Sequence, residues 1–182
     1  MSELIFYTHP MSRGRVVRWM LEEVGAPYRA EILGYGVSLK NPAYLAVNPM
    51  GKVPAIRHGE TVVTEVAAIC TYLADAFPEA GLAPAIGPER GAYYRWLFFA
   101  APLEQAVFTK ALGFEVPEEK RGMAGFGSLP LVLDVLEGEL EHRDWLAGGH
   151  FTAADLLIAA GLGWYTSWGL VEMRPAFARY LE

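Results

Sequence analysis

Cysteine is nearly absent from this 182-residue chain, which contains only Cys70. One cysteine cannot form a disulfide within its own chain, and no His/Cys cluster has the spacing of a zinc site. We therefore expect no disulfide framework and no structural metal, and we expect a protein of the reducing cytoplasm. A hydrophobic fraction of 53% over this length is enough to form a core, which excludes a disordered chain.

Long uncharged runs are also missing. The longest segment without Asp, Glu, Lys or Arg covers residues 156–171, which is shorter than the roughly 18 residues of a membrane-spanning helix. Residues 1–3 do not begin a basic segment followed by an apolar one. We therefore expect no signal peptide and no membrane partner.

Positive charge is in deficit overall, with a net charge of −6 and no basic stripe. Nucleic acid is therefore not an expected partner. The first 57 residues differ, because seven Arg and Lys residues there outnumber four Glu residues. A locally cationic segment of this kind suits a small anionic ligand.

Short strands and helices alternate at the start of the chain. Leu4–Tyr7 and Tyr28–Leu33 have the patterns of strands, the second one half-buried. Between them, apolar residues recur with a helical period, and we expect Ser12 to cap this helix and Gly25 to end it. The pattern predicts a βαβ unit.

Two more strands and another helix are predicted after this unit. Val53–Arg57 and Thr61–Thr64 flank His58-Gly59-Glu60, an arrangement typical of a hairpin. Apolar residues at helical spacing then continue from Val66 to Phe77. The first domain, residues 1–78, is thus predicted to have the order βαβ followed by ββα.

Proline and glycine interrupt every pattern over residues 79–87, which predicts a linker. Residues 88–182 show helical patterns only. They include an aromatic-rich helix with a predicted kink at Pro102 and a buried central helix over residues 156–168. The predicted fold class is an α/β domain followed by an all-α domain.

Ligand-binding patterns occur in three segments of the first domain. In the first, Ser12 follows a strand and precedes a helix, whose N–H groups and macrodipole favour an anion. In the second, a cis Val53-Pro54 bond would turn the Val53 N–H and C=O outward to pair with an extended peptide, although trans bonds are commoner. In the third, Glu65 could bind an ammonium group beside a helix start, where a glutamate is also favourable in itself.

Taken together, these segments resemble the glutathione-binding domain of cytosolic glutathione transferases, of the serine type seen in bacterial, phi-like and theta-like members. The likeness includes the Asn-Pro-x-Gly-Lys-Val-Pro-Ala loop from Asn48 and the Thr-Glu-x-Ala-Ala-Ile start from Thr64. In the second domain, Thr152 and Asp155 match the N-capping box of the family. The resemblance implies a thioredoxin-like domain followed by an all-helical domain, assembled as a homodimer.

The catalytic residue implied by the resemblance is Ser12, which would donate a hydrogen bond to the sulfur of glutathione. A free thiol has a pKa of about 8.5, so lowering it by about two units would ionise most of the thiol at pH 7. Tyr7 and His9 are alternatives, since other classes of the family use a tyrosine at the strand end. We favour Ser12, because a tyrosine inside the strand more often points into the core and His9 fits a turn.

Five further residues are implied to bind glutathione. Val53 and Pro54 would hold the cysteinyl backbone, Lys52 would lie near the glycyl carboxylate, and Glu65 would receive the γ-glutamyl ammonium. Val66 stands where the family usually has a Ser or Thr that contacts the γ-glutamyl carboxylate. The loss of that hydrogen bond is expected to weaken binding about tenfold to a hundredfold unless backbone N–H groups replace it.

The function implied is detoxifying conjugation of glutathione, as co-substrate and without a metal, to a small hydrophobic electrophile. Val66, and a chain that stops at Glu182 where relatives continue, also suit a non-catalytic binding or scaffold protein. A glutathione-dependent isomerase is a third reading. A disulfide oxidoreductase is disfavoured because no Cys-x-x-Cys follows the first strand, and Cys70 is expected to be a packed, inert thiol.

Overall fold

A mixed four-stranded sheet organises the first part of the computed structural model, which describes residues 2–182. The strands are β1 Leu4–Thr8, β2 Arg29–Ile32, β3 Ala55–His58 and β4 Thr61–Thr64. The helices of this part are α1 Gly14–Val24, α2 Pro42–Leu45 and α3 Val66–Ala76, with 3-10 turns at Ser38–Lys40 and Pro78–Ala80. The predicted order of strands and long helices is confirmed.

The strand order in the sheet is β2-β1-β3-β4. The first two strands are parallel, as a βαβ unit requires, and β3 runs antiparallel to both β1 and β4. All five residues of β1 are buried. By contrast, β2 forms an edge and is mostly exposed, so the prediction of a half-buried strand was wrong there.

The hairpin between β3 and β4 is one residue tighter than predicted. His58 pairs with Thr61, so His58 belongs to the strand and only Gly59 and Glu60 form the turn. Gly59 has a φ of +59°, a conformation that glycine adopts without the steric cost of a Cβ.

Register across the sheet brings the three ligand-binding segments to one end. Tyr7 lies opposite Ala55, and Ala55 lies opposite Thr64, so these residues form a row across β1, β3 and β4. Ile32 of β2 lies beside Thr8 of β1. The segments that follow β1, β2 and β4, and the segment that precedes β3, therefore all leave the sheet at the same end.

Helices alone form the second part of the chain, as predicted. They are α4 Glu89–Ala111, α5 Leu129–Leu140, α6 Ala153–Ser167 and α7 Pro175–Leu181, with a 3-10 turn at Glu118–Met123. The first helix of this part continues through Pro102. Residues 152–158, at the start of α6, are all buried, in agreement with the predicted central helix.

The N-capping box at the start of α6 is confirmed. The Asp155 carboxylate accepts hydrogen bonds from the Thr152 N–H over 2.9 Å and from the Leu146 N–H over 2.8 Å. Tyr180 adds a bond from its hydroxyl over 3.0 Å. These hydrogen bonds offset the cost of burying the carboxylate, so Asp155 stabilises the start of the helix.

The chain divides into two compact units, Met1–Ala83 and Pro84–Glu182. The division falls inside the segment predicted as the linker, residues 79–87. In the part of the chain that the structure describes, no helix has the length and apolarity needed to cross a membrane.

Candidate functional site

The loop between β1 and α1 holds Ser12 by short local hydrogen bonds. The half-buried Ser12 hydroxyl donates to the His9 carbonyl oxygen over 2.6 Å and accepts the Gly14 N–H over 3.0 Å. In addition, the Met11 N–H donates to Nδ1 of His9 over 3.1 Å. Ser12 therefore has a defined orientation, and its side chain is part of a turn rather than of the hydrophobic core.

The start of α1 agrees only in part with the prediction that Ser12 would cap it, because the Ser12 hydroxyl accepts the Gly14 N–H but Ser12 lies one residue before the cap position. The helix begins at Gly14, and Arg13 occupies the cap position without a capping side-chain bond. The Arg15 and Val16 N–H groups already donate to the carbonyl oxygens of Ser12 and Arg13. A tight first turn thus uses N–H groups that were expected to be available to an anion, which leaves the helix dipole as the main contribution of α1.

A second loop, residues 48–54, precedes β3 and contains the Val53-Pro54 bond. This bond is cis, which confirms the sequence-based hypothesis. Because the ladder of β3 begins at Ala55, the N–H and C=O of Val53 lie outside the pairing of the sheet. They are placed beside the end of the sheet where an extended peptide could pair with them.

Buried side chains hold this loop in shape. Asn48 donates from Nδ2 to the Lys52 carbonyl oxygen over 2.8 Å, and its Oδ1 accepts the Met50 N–H over 3.1 Å. The Tyr44 hydroxyl also donates to the Lys52 carbonyl oxygen, over 2.6 Å. Burial raises the pKa of Tyr44 to about 12, so this donor keeps its proton at neutral pH.

Gly51 has a structural reason to be glycine in this loop. Its φ is +60°, and a Cβ at this position would lie 2.7 Å from the Leu39 carbonyl oxygen. Gly51 thus lets the loop lie against Leu39 and Lys40, and the Lys40 Nζ donates to the Met50 carbonyl oxygen over 3.2 Å. Lys52 itself is exposed.

Lys40 is a candidate ligand contact that the motif analysis missed. It lies outside the Asn-Pro-x-Gly-Lys-Val-Pro-Ala motif, and the excess of positive charge in the first third of the chain was its only signal. The structure places its ammonium group on the same loop that carries Lys52. The loop of residues 48–54 therefore has two cationic side chains beside it, those of Lys40 and Lys52.

The third segment, between β4 and α3, contains a strained residue. Glu65 has φ +68° and ψ +125°, and it is the only non-glycine residue of the described chain, residues 2–182, with positive φ. It occupies the cap position of α3, directly before the first helical residue, which agrees with the prediction that Glu65 lies beside a helix start. Such strain costs on the order of 1–3 kcal/mol and is found most often at functional sites.

The first turn of α3 is available for an anion, in contrast to that of α1. Within residues 2–182, the N–H groups of Val66, Ala67 and Ala68 have no hydrogen-bond acceptor, and the first bond of the helix runs from the Ile69 N–H to the Glu65 carbonyl oxygen over 2.8 Å. Three unpaired N–H groups at a helix start can bind a carboxylate. The exposed Glu65 carboxylate beside them can bind an ammonium group.

Packing accounts for Tyr7, one of the two alternatives to Ser12, and for the thiol of Cys70. Tyr7 is buried, and its ring lies 5.6 Å from that of Tyr44, as expected for a core tyrosine. Cys70 is fully buried in α3, and burial raises the pKa of its thiol to about 12. A thiol of this kind is unreactive at neutral pH, which agrees with the prediction.

The register of the sheet therefore places all six predicted site residues at one end of it: Ser12, Lys52, Val53, Pro54, Glu65 and Val66. The resulting arrangement offers cations on one loop, unpaired peptide groups in the middle, and a carboxylate beside an anion site at α3. A short zwitterionic peptide has the complementary charges. In residues 2–182 no group of three or more His, Cys, Asp or Glu side chains is arranged to hold a metal.

A sheet of this order with a cis-proline before β3, followed by helices only, defines a thioredoxin-like domain and an all-helical domain. Residues 6–81 match the family profile of the glutathione S-transferase N-terminal domain, and residues 74–182 match that of its C-terminal domain. The chain belongs to the glutathione S-transferase family.

Individual relatives agree with this assignment. The chain is 34% identical to glutathione S-transferase GstA of Escherichia coli O157:H7 over 66% of its own length and 61% of that protein. Thus the alignment spans about three fifths of this curated relative. Among solved structures, a glutathione S-transferase from Xylella fastidiosa is 26% identical with a TM-score of 0.77, covering 98% of this chain and 91% of that one.

A further solved relative is a complex with a ligand. The glutathione transferase URE2P6 from Phanerochaete chrysosporium, described as a complex with oxidized glutathione, is 28% identical to this chain with a TM-score of 0.77. The match covers 98% of this chain and 89% of that one.

Proposed function

We propose that this protein is a glutathione S-transferase that joins the thiolate of glutathione to a small hydrophobic electrophile. The observation that carries the proposal is the row formed by Tyr7, Ala55 and Thr64, which gathers three peptide-binding elements at one end of the sheet. The family membership of the chain and the oxidized glutathione in the URE2P6 structure support the choice of ligand.

Glutathione fits the arrangement group by group. Val53 offers its N–H and C=O to the cysteinyl residue, in the manner of an added strand. Glu65 binds the γ-glutamyl ammonium, and the free N–H groups of the first turn of α3 bind the γ-glutamyl carboxylate. These N–H groups replace part of the hydrogen bonding that a Ser or Thr hydroxyl at position 66 would add. Lys52 and Lys40 provide positive charge for the glycyl carboxylate.

Ser12 is the proposed donor to the sulfur. A hydrogen bond to the thiolate favours the ionised form, and the dipole of α1 adds to this effect. The thiolate then attacks the electrophile, forming a carbon–sulfur bond while the leaving group departs with the electron pair of its bond to carbon, or while an activated double bond takes up the electrons. Ser12 acts as a donor in this scheme and need not act as a base.

Turnover with a chlorodinitrobenzene-type substrate tests the proposal. We expect glutathione-dependent conjugation, and a fall in kcat of about tenfold or more in Ser12→Ala. The matched control is Ser128→Ala, since Ser128 caps α5 through the Leu131 N–H in the other unit and has no proposed role in catalysis. An unchanged kcat in Ser12→Ala would exclude Ser12 from the mechanism.

A glutathione-binding protein without turnover is the second candidate. It is favoured by the short bond from the Ser12 hydroxyl to the His9 carbonyl oxygen, because the serine must give up this bond to donate to a sulfur. Titration calorimetry with glutathione separates the two functions. Binding without conjugation of any electrophile tested supports the carrier, whereas no heat at millimolar glutathione contradicts both.

We also propose a cytoplasmic homodimer. Tyr94 and Phe98 lie one turn apart on α4 and are both exposed, which is unusual for aromatic side chains of a monomer. A single buried Cys70 requires no oxidising compartment. Sedimentation equilibrium of the full chain tests the assembly, and a monomer at micromolar concentration would contradict it.

A further inference from the structure

Met11, the residue before Ser12, has both of its backbone polar groups bound by side chains. Its N–H donates to Nδ1 of His9 over 3.1 Å, and its carbonyl oxygen accepts the Tyr35 hydroxyl over 2.8 Å. The rings of His9 and Tyr35 contact each other, with centroids 4.2 Å apart. Two successive exposed peptide units, one on each side of Met11, are therefore each bound by a side chain.

Tyr35 reaches this position because of the sheet. It lies 24 residues from Met11 in sequence, but it follows β2, whose Ile32 lies beside Thr8 at the end of β1. The Leu33 N–H continues this pairing with a bond to the Thr8 carbonyl oxygen over 2.8 Å. The loop after β2 and the loop after β1 are therefore neighbours along their first residues.

His9 contributes two acceptors to the same loop. Its Nδ1 takes the Met11 N–H, while its carbonyl oxygen takes the Ser12 hydroxyl over 2.6 Å. The backbone from His9 to Ser12 thus has little conformational freedom, and the orientation of the Ser12 side chain depends on it.

We propose that His9 and Tyr35 are positioning residues, which fix the backbone on both sides of Met11 and thereby hold the Ser12 side chain where it can exchange its bond to the His9 carbonyl oxygen for one to the sulfur of glutathione. The proposal rests on the proposed function. Neither residue touches the reacting atoms in this scheme. Their contribution is to hold the donor before the reaction, so that less conformational freedom is lost when the thiolate forms.

Single substitutions test whether His9 and Tyr35 act on Ser12 through their hydrogen bonds or only pack against each other. His9→Leu removes the acceptor for the Met11 N–H, and Tyr35→Phe removes only the hydroxyl while keeping the ring against His9. For both we expect kcat to fall about two- to tenfold, with the affinity for glutathione changed by less than about twofold. In His9→Leu, exchange of the Met11 amide proton should also become faster.

The variant His9→Asn should restore what His9→Leu loses. An asparagine side-chain oxygen accepts the N–H two residues further along the chain, the same separation as between His9 and Met11. We therefore expect this variant to keep the kcat of the unaltered chain and the slow exchange of the Met11 amide. A kcat as low as that of His9→Leu would overturn the proposal, because the acceptor alone would then not suffice.

Tyr72→Phe is the matched control. It also removes only the hydroxyl of a tyrosine that contacts a histidine. The Tyr72 hydroxyl bonds to Nδ1 of His58 over 3.0 Å, at the opposite end of β3 from Ala55. We expect its kcat to be unchanged. Equal losses in Tyr35→Phe and Tyr72→Phe, or none in either Tyr35→Phe or His9→Leu, would overturn the positioning role.

The proposed function fails in a different way. If the unaltered chain binds no glutathione in calorimetry and conjugates no electrophile, the transferase assignment is overturned, and this proposal with it. If the unaltered chain is active and only the variants behave otherwise than expected, the positioning role alone is overturned.

Discussion

The Ser12 hydroxyl donates to the His9 carbonyl oxygen over 2.6 Å, and the two residues belong to one turn. A serine hydroxyl has a single proton, so donation to a ligand sulfur replaces this bond instead of adding to it. The free energy by which Ser12 stabilises the thiolate is therefore the difference between a charge-assisted hydrogen bond and an ordinary one. This exchange sets the size of the effect expected from Ser12 substitutions.

The first prediction concerns the thiol of bound glutathione. A hydrogen bond to a charged group contributes about 1.5–3 kcal/mol and the lost bond to His9 about 1 kcal/mol, so Ser12→Ala should raise the pKa of the bound thiol by about one unit. Titration of the thiolate absorbance in the enzyme complex measures this shift. The same pKa in both proteins would contradict the role of Ser12.

Val66→Ser should tighten glutathione binding. A hydroxyl at the start of α3 adds a donor near the proposed γ-glutamyl carboxylate, and we expect an affinity about tenfold higher by calorimetry. Val66→Ala is the control, because it removes the same methyl groups without adding a hydroxyl. Equal affinities in the two variants would place the carboxylate elsewhere.

Backbone strain at Glu65 predicts an unusual order of stabilities. At φ +68°, glycine avoids a steric cost that alanine retains, so Glu65→Gly should be about 1 kcal/mol more stable to urea than Glu65→Ala. Exposed Glu141, with φ −63° at the end of α5, provides the control. There alanine should be the more stable substitution by a similar amount.

Gly14→Ala should destabilise the first unit by about 2 kcal/mol, because an added methyl group overpacks the contact between α1 and β1. A Cβ at Gly14 would lie 2.0 Å from the Thr8 Oγ1. Adding Thr8→Ala to the variant should recover part of the loss, which a double-mutant cycle in urea measures. Gly138→Ala is the control, since its Cβ meets nothing within 4 Å and should stabilise α5 by up to about 1 kcal/mol.

Alkaline pH should lower stability through Cys70. Burial raises the pKa of its thiol to about 12 in the folded protein, well above the ordinary value of about 8.5, so at pH 9 and above the unfolded chain releases a proton that the folded chain retains. The stability present below pH 9 is then lost with a slope of up to about 1.4 kcal/mol per pH unit. Cys70→Ala should have a lower stability at neutral pH but a flatter profile between pH 9 and 10. Parallel profiles for the two proteins would contradict this assignment.

Much of the fold follows from short-range pattern. The apolar period of α1, the small residues of α6 and the Thr152–Asp155 capping box each depend on residues within a few positions of one another. The cis-proline and the α3 start could be placed in the same way, through motifs that resemble a known family. For these features, a local stretch of chain contains nearly all the groups that determine the conformation.

Other features depend on contacts that no local pattern contains. The path of each loop as it leaves the sheet sets the cap position at Arg13 and the positive φ of Glu65. It also decides that the first-turn N–H groups of α1 are hydrogen-bonded while those of α3 are not. Tyr35 meets Met11 only because Ile32 lies beside Thr8. Residue types and motifs in the sequence alone thus determined which chemical groups the site contains. Only the pairing of distant strands decided which of those groups face each other, since register is a property of the whole sheet.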